Sequence, residues 1–152
     1  MLEQEFIELY DKFKLNFYRN IFAGFTGREA SLTATETFCV EVIHALKRPT
    51  VNKLAEFLDI SQPNAAYKVA SLVKKGYVVK EQSKEDKRVF YLDVTEKFEK
   101  YYKFKNEYIY TVINRAKEEF SEDEVHQLEN MLHRMSTEMM PEVSGFFEDN
   151  LE

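Results

Sequence analysis

At Gly76 the hydrophobic period of this chain changes, and that change limits what the central third can fold into. Upstream, apolar residues recur every three or four positions; downstream, 77–82 and 89–94 are short runs rich in β-branched and aromatic side chains. The spacing predicts helices before the glycine and a two-stranded hairpin after it, with residues 83–88 as a polar, basic tip. Thr50 is placed to cap a short helix in which Val51, Leu54, Ala55 and Leu58 fall at i, i+3, i+4 and i+7. Asp59-Ile60-Ser61 breaks that helix. Ser61 caps another, expected over 62–75, which Gly76 ends in a left-handed conformation.

Two short helices joined by a tight turn form a helix-turn-helix, and the hairpin adds a wing. The fold class expected is therefore mainly α with a small β-hairpin wing, flanked by longer helices. Leu2, Phe6, Leu9, Phe13, Phe17 and Ile21 stripe a first helix ending near Gly24 to Gly27. Thr33-Ala34-Thr35-Glu36 reads as a capping box for a second helix over 34–46, which stops before Pro49. Thr95 is placed to cap a long fifth helix, and Ser121-Glu122-Asp123-Glu124 opens a last one carrying Val125, Leu128, Leu132, Met135 and Met139 before Pro141 interrupts it.

These flanking stripes exceed what one small subunit can cover, so two chains are expected to bury them against each other, with Phe6, Phe13, Phe17, Leu128, Leu132 and Met135 at the interface. The expected organisation is 1–32 as a dimerization helix and loop, 33–95 as the winged helix-turn-helix, and 96–152 as C-terminal dimerization helices.

Charge is distributed unevenly along this organisation. Residues 47–91 hold ten Lys or Arg against five Asp or Glu, net +5; the remainder holds eleven against twenty-two, net −11, giving −6 overall. A basic module between acidic flanks points to a polyanionic partner, and double-stranded DNA fits a helix-turn-helix. On the fourth helix Ala65, Val69, Leu72 and Val73 make an apolar face, with Asn64, Tyr67, Lys68 and Ser71 roughly opposite. Gln62 and Asn64 are able to pair bidentately with adenine, and Lys68 with guanine or phosphate, so Ser61, Gln62, Asn64, Tyr67 and Lys68 are the expected major-groove readers. In the wing, Arg88 is expected in a narrow minor groove, with Asp86 fixing its direction and Lys84 and Lys87 on phosphates. A solvated helix face and a charged turn kept for solubility are the plainer readings of the same residues.

Taken together, Leu54-Ala55-Glu56-Phe57-Leu58, Ile60-Ser61-Gln62-Pro63-Asn64, Leu72-Val73-Lys74-Lys75-Gly76-Tyr77-Val78 and Glu85-Asp86-Lys87-Arg88 resemble the MarR (multiple antibiotic resistance regulator) family. With the flanking helices the resemblance extends over nearly the whole chain. It implies a homodimer on a pseudo-palindromic operator, recognition helices in successive major grooves, Arg88 in the minor groove, and repression relieved by a small ligand. The family often has Thr-x-x-Gly where this chain has Thr95-Glu96-Lys97-Phe98, and its redox-sensing members carry a cysteine in the first helix that is absent here.

Within that resemblance an effector pocket for an amphipathic or apolar molecule is expected among Phe17, Phe22, Tyr101, Tyr102 and Tyr108, with Phe25 and Phe104 nearby, although aromatics at helical spacing commonly serve as core. Cys39 lies inside an apolar pattern and reads as a small buried hydrophobe. Glu122, His126, Glu129 and His133 share one helix face, but His-x6-His lacks the closeness of helical ligand pairs, so no metal and no cofactor are expected. No phosphate loop, G-x-S-x-G or paired-histidine motif is present, and His44, His126 and His133 are scattered, so the chain is read as a regulator and not an enzyme. The rival reading is a winged helix used as a protein-interaction module without specific DNA binding. No apolar run nears the roughly 18 to 20 residues that span a bilayer, the N-terminus is acidic and amphipathic, and the single cysteine suits a reducing compartment, so a cytoplasmic location without membrane contact is expected.

Overall fold

The computed structural model describes residues 1–24 and 32–148, with side chains over 1–20 and 32–147. The order is α1 (Leu2–Gly24), α2 (Ala34–Ala45), α3 (Val51–Leu58), α4 (Gln62–Lys74), β1 (Val78–Gln82), β2 (Phe90–Val94), α5 (Glu96–Glu119), α6 (Glu122–Glu138) and α7 (Pro141–Glu148). It forms two compact units, one of Met1–Ser31 with Tyr101–Glu129 and one of Leu32–Lys100 with Asn130–Glu152. No helix among the described residues is long and apolar enough to cross a membrane.

The central unit is built on local signals. Thr33 and Glu36 form a reciprocal capping box, Thr33 Oγ1 accepting from Glu36 N at 3.2 Å and Glu36 Oε2 accepting from Thr33 N at 2.8 Å. Thr50 Oγ1 accepts from Lys53 N and Ser61 Oγ from Asn64 N, so α3 and α4 each start on a hydroxyl cap. Between them Asp59 turns the chain with φ 51°, a left-handed conformation that short polar side chains tolerate. Gly76 takes φ 82° after α4; a Cβ there would meet only Lys97 Cδ at 3.9 Å, so the backbone angle and not crowding is what calls for glycine.

Strands β1 and β2 pair antiparallel, Val78 opposite Val94, Lys80 opposite Leu92 and Gln82 opposite Phe90. The hairpin is moored to the α2–α3 connection, where Leu92 N donates to Pro49 O at 2.8 Å and Thr50 bridges to Tyr91. Beneath it Val40, Ile43, Leu46, Leu54, Ala65, Val69, Leu72, Val78, Leu92 and Phe98 are buried as one core, contributed by every element from α2 to the start of α5. Cys39 joins them and burial pushes its thiol pKa up, opposite to what a reactive thiolate requires. In the same unit the edge of Phe57 meets Phe146 at 4.9 Å, which holds α7 against α3.

The other unit is held by ring contacts between α1 and α5: Phe13 with Tyr108 at 5.9 Å, and Phe17 with Tyr101 at 6.0 Å and Phe104 at 6.4 Å. Residues 1–10 of α1 are exposed throughout, and α6 contains no buried residue.

Two local expectations need correction. Val73 was expected on the packed face of α4 and is 38 % exposed, because it lies at the edge of the stripe beyond Leu72. Ser71 was expected on the outward face and instead gives its hydroxyl to Glu36 of α2. Thr95 stands immediately before α5, as expected, its carbonyl accepting from Glu99 N at 3.1 Å, and its hydroxyl donates to Gly76 O at 2.6 Å, which ties the start of α5 to the end of α4.

Candidate nucleic-acid interface

The outward side of α4 begins at its cap. Ser61, Gln62, Asn64 and Tyr67 are exposed, Tyr67 to 77 %, while Ala65, Val69 and Leu72 one turn apart are buried. An exposed tyrosine of that degree on a well-packed helix has no internal packing role. Lys68 is half-buried and leans back toward α2, its Nζ 3.4 Å from Thr35 Oγ1.

In the wing, Ser83 Oγ accepts from the amides of Glu85 and Asp86 and so folds the tip. Asp86 then faces Arg88 on both oxygens. Oδ1 accepts from the Arg88 amide at 3.0 Å and from Nε at 3.2 Å, and Oδ2 accepts from Nη2 at 3.2 Å. This bidentate hold leaves the guanidinium exposed but directed, and it lowers the Asp86 pKa. Lys84 and Lys87 are exposed on the same tip.

Helix and wing border one cleft of about 530 Å³, lined by Asn52 of α3, Gln62 and Ala66 of α4, Lys80 of β1, and Arg88 and Phe90 of the wing, among others. Asn52 and Lys80 were not singled out from the sequence. Asn52 lies one residue inside the first turn of α3, and Lys80 spreads its ammonium 4.6 Å from the centre of the Phe90 ring. The cap at Thr50 was the available signal for the first; nothing local marks the second.

The remaining expected sites are distributed as follows. Phe17 and Tyr108 line a cleft of about 190 Å³ with Asn16, Asn20, Phe104 and Lys105, Tyr101 is buried beside Phe17, and Tyr102 is 37 % exposed. Phe22 and Phe25 lie outside the residues whose side chains are described. Phe6, Leu128, Leu132 and Met135 are exposed, whereas Phe13 and Phe17 are engaged by the rings of α5. His126 Nδ1 lies 3.7 Å from Glu129, and among the described residues no three His, Cys, Asp or Glu side chains gather as a metal site would require.

Capped helix, tight turn, outward-facing second helix and two-stranded hairpin define a winged helix-turn-helix protein. Residues 32–90 match the model of the MarR family. Among solved structures the chain is similar to Streptococcus pneumoniae FabT in complex with DNA, at 17 % identity and TM-score 0.63 over 97 % of this chain and 96 % of that one. It is also similar to a MarR-like transcriptional regulator from Thermotoga maritima, at 21 % identity and TM-score 0.59 over 88 % and 93 % of the two chains. An S. aureus MepR mutant bound to an oligodeoxyribonucleotide matches at 15 % identity and TM-score 0.55 over 92 % and 99 %. At these identities the likeness is one of fold. No curated protein matches the sequence.

Proposed function

We propose that this chain is a sequence-specific DNA-binding transcription regulator that acts as a homodimer on a pseudo-palindromic operator. The observation that carries the reading is that Gln62 at the start of the exposed helix and Arg88 at the wing tip border one cleft whose charged lining residues, Lys80 and Arg88, are both cationic. A duplex presents a major groove, a phosphate ridge and a minor groove in that order, and the helix, cleft and wing match it in chemistry. In this reading Ser61, Gln62, Asn64, Tyr67 and Lys68 meet base edges and the adjacent backbone. Arg88, steered by Asp86, enters the minor groove; Lys84 and Lys87 neutralise phosphates. Residues 33–95 are the DNA-binding module, and 1–32 with 96–152 pair two copies through Phe6, Leu128, Leu132 and Met135.

The aromatic cleft at Phe17 and Tyr108 is the proposed place for an amphipathic effector that relieves repression, its rings offering apolar surface and Asn16, Asn20 and Lys105 offering polar contacts. Such a molecule acts only if it binds free and DNA-bound protein unequally.

The direct test is selection of bound duplexes from a random pool by the full chain. Enrichment of an inverted repeat with half-sites about one helical turn apart is expected. Recovery of unselected DNA, or none, would overturn the reading in favour of a protein-interaction module.

A further inference from the structure

We propose that Glu36 is the positioning residue of the DNA-reading helix, a buried carboxylate at the start of α2 that fixes the C-terminal half of α4 and thereby the tilt of its N-terminal turn. The inference rests on the DNA-binding reading given above. Glu36 is 8 % exposed, the one charged side chain in the buried interior among the described residues. Its oxygens accept from Thr33 N at 2.8 Å, from the Ser71 hydroxyl, and from Lys75 Nζ at 2.7 Å. The first contact is the local capping box. The other two reach 35 and 39 residues along the chain and land one turn apart on α4 and its C-cap.

A cap alone does not require burial, and a carboxylate out of solvent is costly unless its lone pairs are filled. Here they are filled by groups of the reading helix. The Lys75 ammonium and the Ser71 hydroxyl hold the Glu36 carboxyl down at about 2, against the opposing effect of burial. The same joint is also bonded from α5: Lys97 Nζ donates to Lys75 O at 3.0 Å, and Thr95 Oγ1 donates to Gly76 O. The far end of α4 is therefore clamped by both α2 and α5.

The geometry shows why the clamp matters for reading. Asn64 lies seven residues from Ser71, about 10 Å along the axis at 1.5 Å per residue. A tilt of about 10° at the clamp moves Asn64 by roughly 2 Å, more than a bidentate hydrogen bond tolerates. Phosphate contacts made by flexible wing lysines survive such a shift. The clamp therefore governs specificity more than overall affinity.

Lys75 supplies the discriminating readout. Counted along the sequence it is one of the basic residues of a DNA-binding module, yet its ammonium is held by Glu36. If it positions the helix, removing it lowers preference for operator and leaves the salt dependence of binding intact; if it contacts phosphate, the salt slope falls by about one charge.

The experiment measures binding of wild type, Glu36→Gln, Lys75→Met, Ser71→Ala and the Glu36→Gln/Lys75→Met double variant to selected operator and to shuffled duplex over a salt series, with circular dichroism as a check of folding. Expected are a loss of operator affinity of about tenfold in Glu36→Gln and in Lys75→Met, little change on shuffled duplex, unchanged salt slopes, and a double variant no worse than the weaker single one. Ser71→Ala removes one neutral donor and keeps the result readable if Glu36→Gln does not fold; a loss of about threefold is expected there. Operator preference retained in folded variants, or a salt slope reduced in Lys75→Met, overturns the assignment of Glu36 alone. Absence of any preferred duplex for the wild type overturns the DNA-binding reading itself, and the assignment with it.

Discussion

A carboxylate that accepts an ammonium and a hydroxyl while almost out of solvent gives the protein a defined acid sensitivity. The Glu36 pKa lies at about 2 in the folded chain, depressed by Lys75 first and Ser71 second, against an ordinary value of 4.5. The stability this confers is fully present above pH 4.5 and is lost as pH falls through the folded value, because protonation then favours neither state. A depression of that size corresponds to at most about 3 kcal/mol. Urea unfolding of wild type and Glu36→Gln at pH 7 and pH 3 is expected to show a gap between them that narrows at the lower pH; an equal gap at both would mean that the ion pair with Lys75 contributes nothing. Single residues also separate the kinds of DNA contact. Asn64→Ala is expected to cost about 1 to 3 kcal/mol on operator and to relax one base position, whereas Lys87→Ala is expected to weaken all duplexes alike and lower the salt slope by about one. Arg88→Ala is expected to lose most on A·T-rich flanks with a narrow minor groove. Binding of the three variants to operator, shuffled and flank-substituted duplexes distinguishes them, and an Arg88→Ala protein unchanged on every duplex would remove the wing from the interface.

At the scale of elements, what the sequence disclosed and what it hid follow from the range of the interactions. The caps at Thr33, Thr50 and Ser61 and the stop at Gly76 depend on residues within four positions of one another, so each helix boundary in the central unit was legible to within about a residue. Runs rich in β-branched and aromatic residues likewise placed both strands. Contacts across the chain were not legible. Ser71 falls outside the apolar stripe and was placed on the reading face, but its partner sits on a different helix. Arg48 counted toward the basic charge of the module, yet it lies 2.5 Å from Glu81 and 3.4 Å from Asp93 and stacks over Tyr91, an exposed strut of the hairpin. Local pattern gives the faces of a helix but not what stands opposite each one. Gly76 gives a test of the element boundary: Gly76→Ala, with room for the methyl but φ at 82°, is expected to destabilise the chain by about 1 kcal/mol in chemical denaturation. A neutral result would show that the α4–β1 turn adjusts freely.

For the whole molecule the governing fact is apolar surface without cover. Phe6 is 48 % exposed, Leu128 39 %, Leu132 45 % and Met135 40 %, and neither the first ten residues of α1 nor any residue of α6 is buried. Isolated exposed leucines are ordinary, but stripes at helical spacing on two long helices are the mark of an interface. A second copy is the proposed cover; under the proposed function, an inverted repeat is read by two modules held at a fixed spacing. Phe13 and Phe17 are engaged within the chain by Tyr108, Tyr101 and Phe104. Wild type is expected to sediment as a dimer at micromolar concentration. Leu132→Glu and Phe6→Glu each place a carboxylate in the proposed contact and are expected to weaken association by about 2 to 3 kcal/mol, roughly 30- to 150-fold. Operator affinity is expected to fall with dimer content, since each half-site held singly loses the gain of simultaneous engagement, while affinity for a shuffled duplex changes less. Sedimentation velocity paired with operator titration of the same samples checks both. A monomeric wild type with full operator affinity would disprove the dimer, and dimeric Leu132→Glu and Phe6→Glu proteins would move its interface away from the terminal helices.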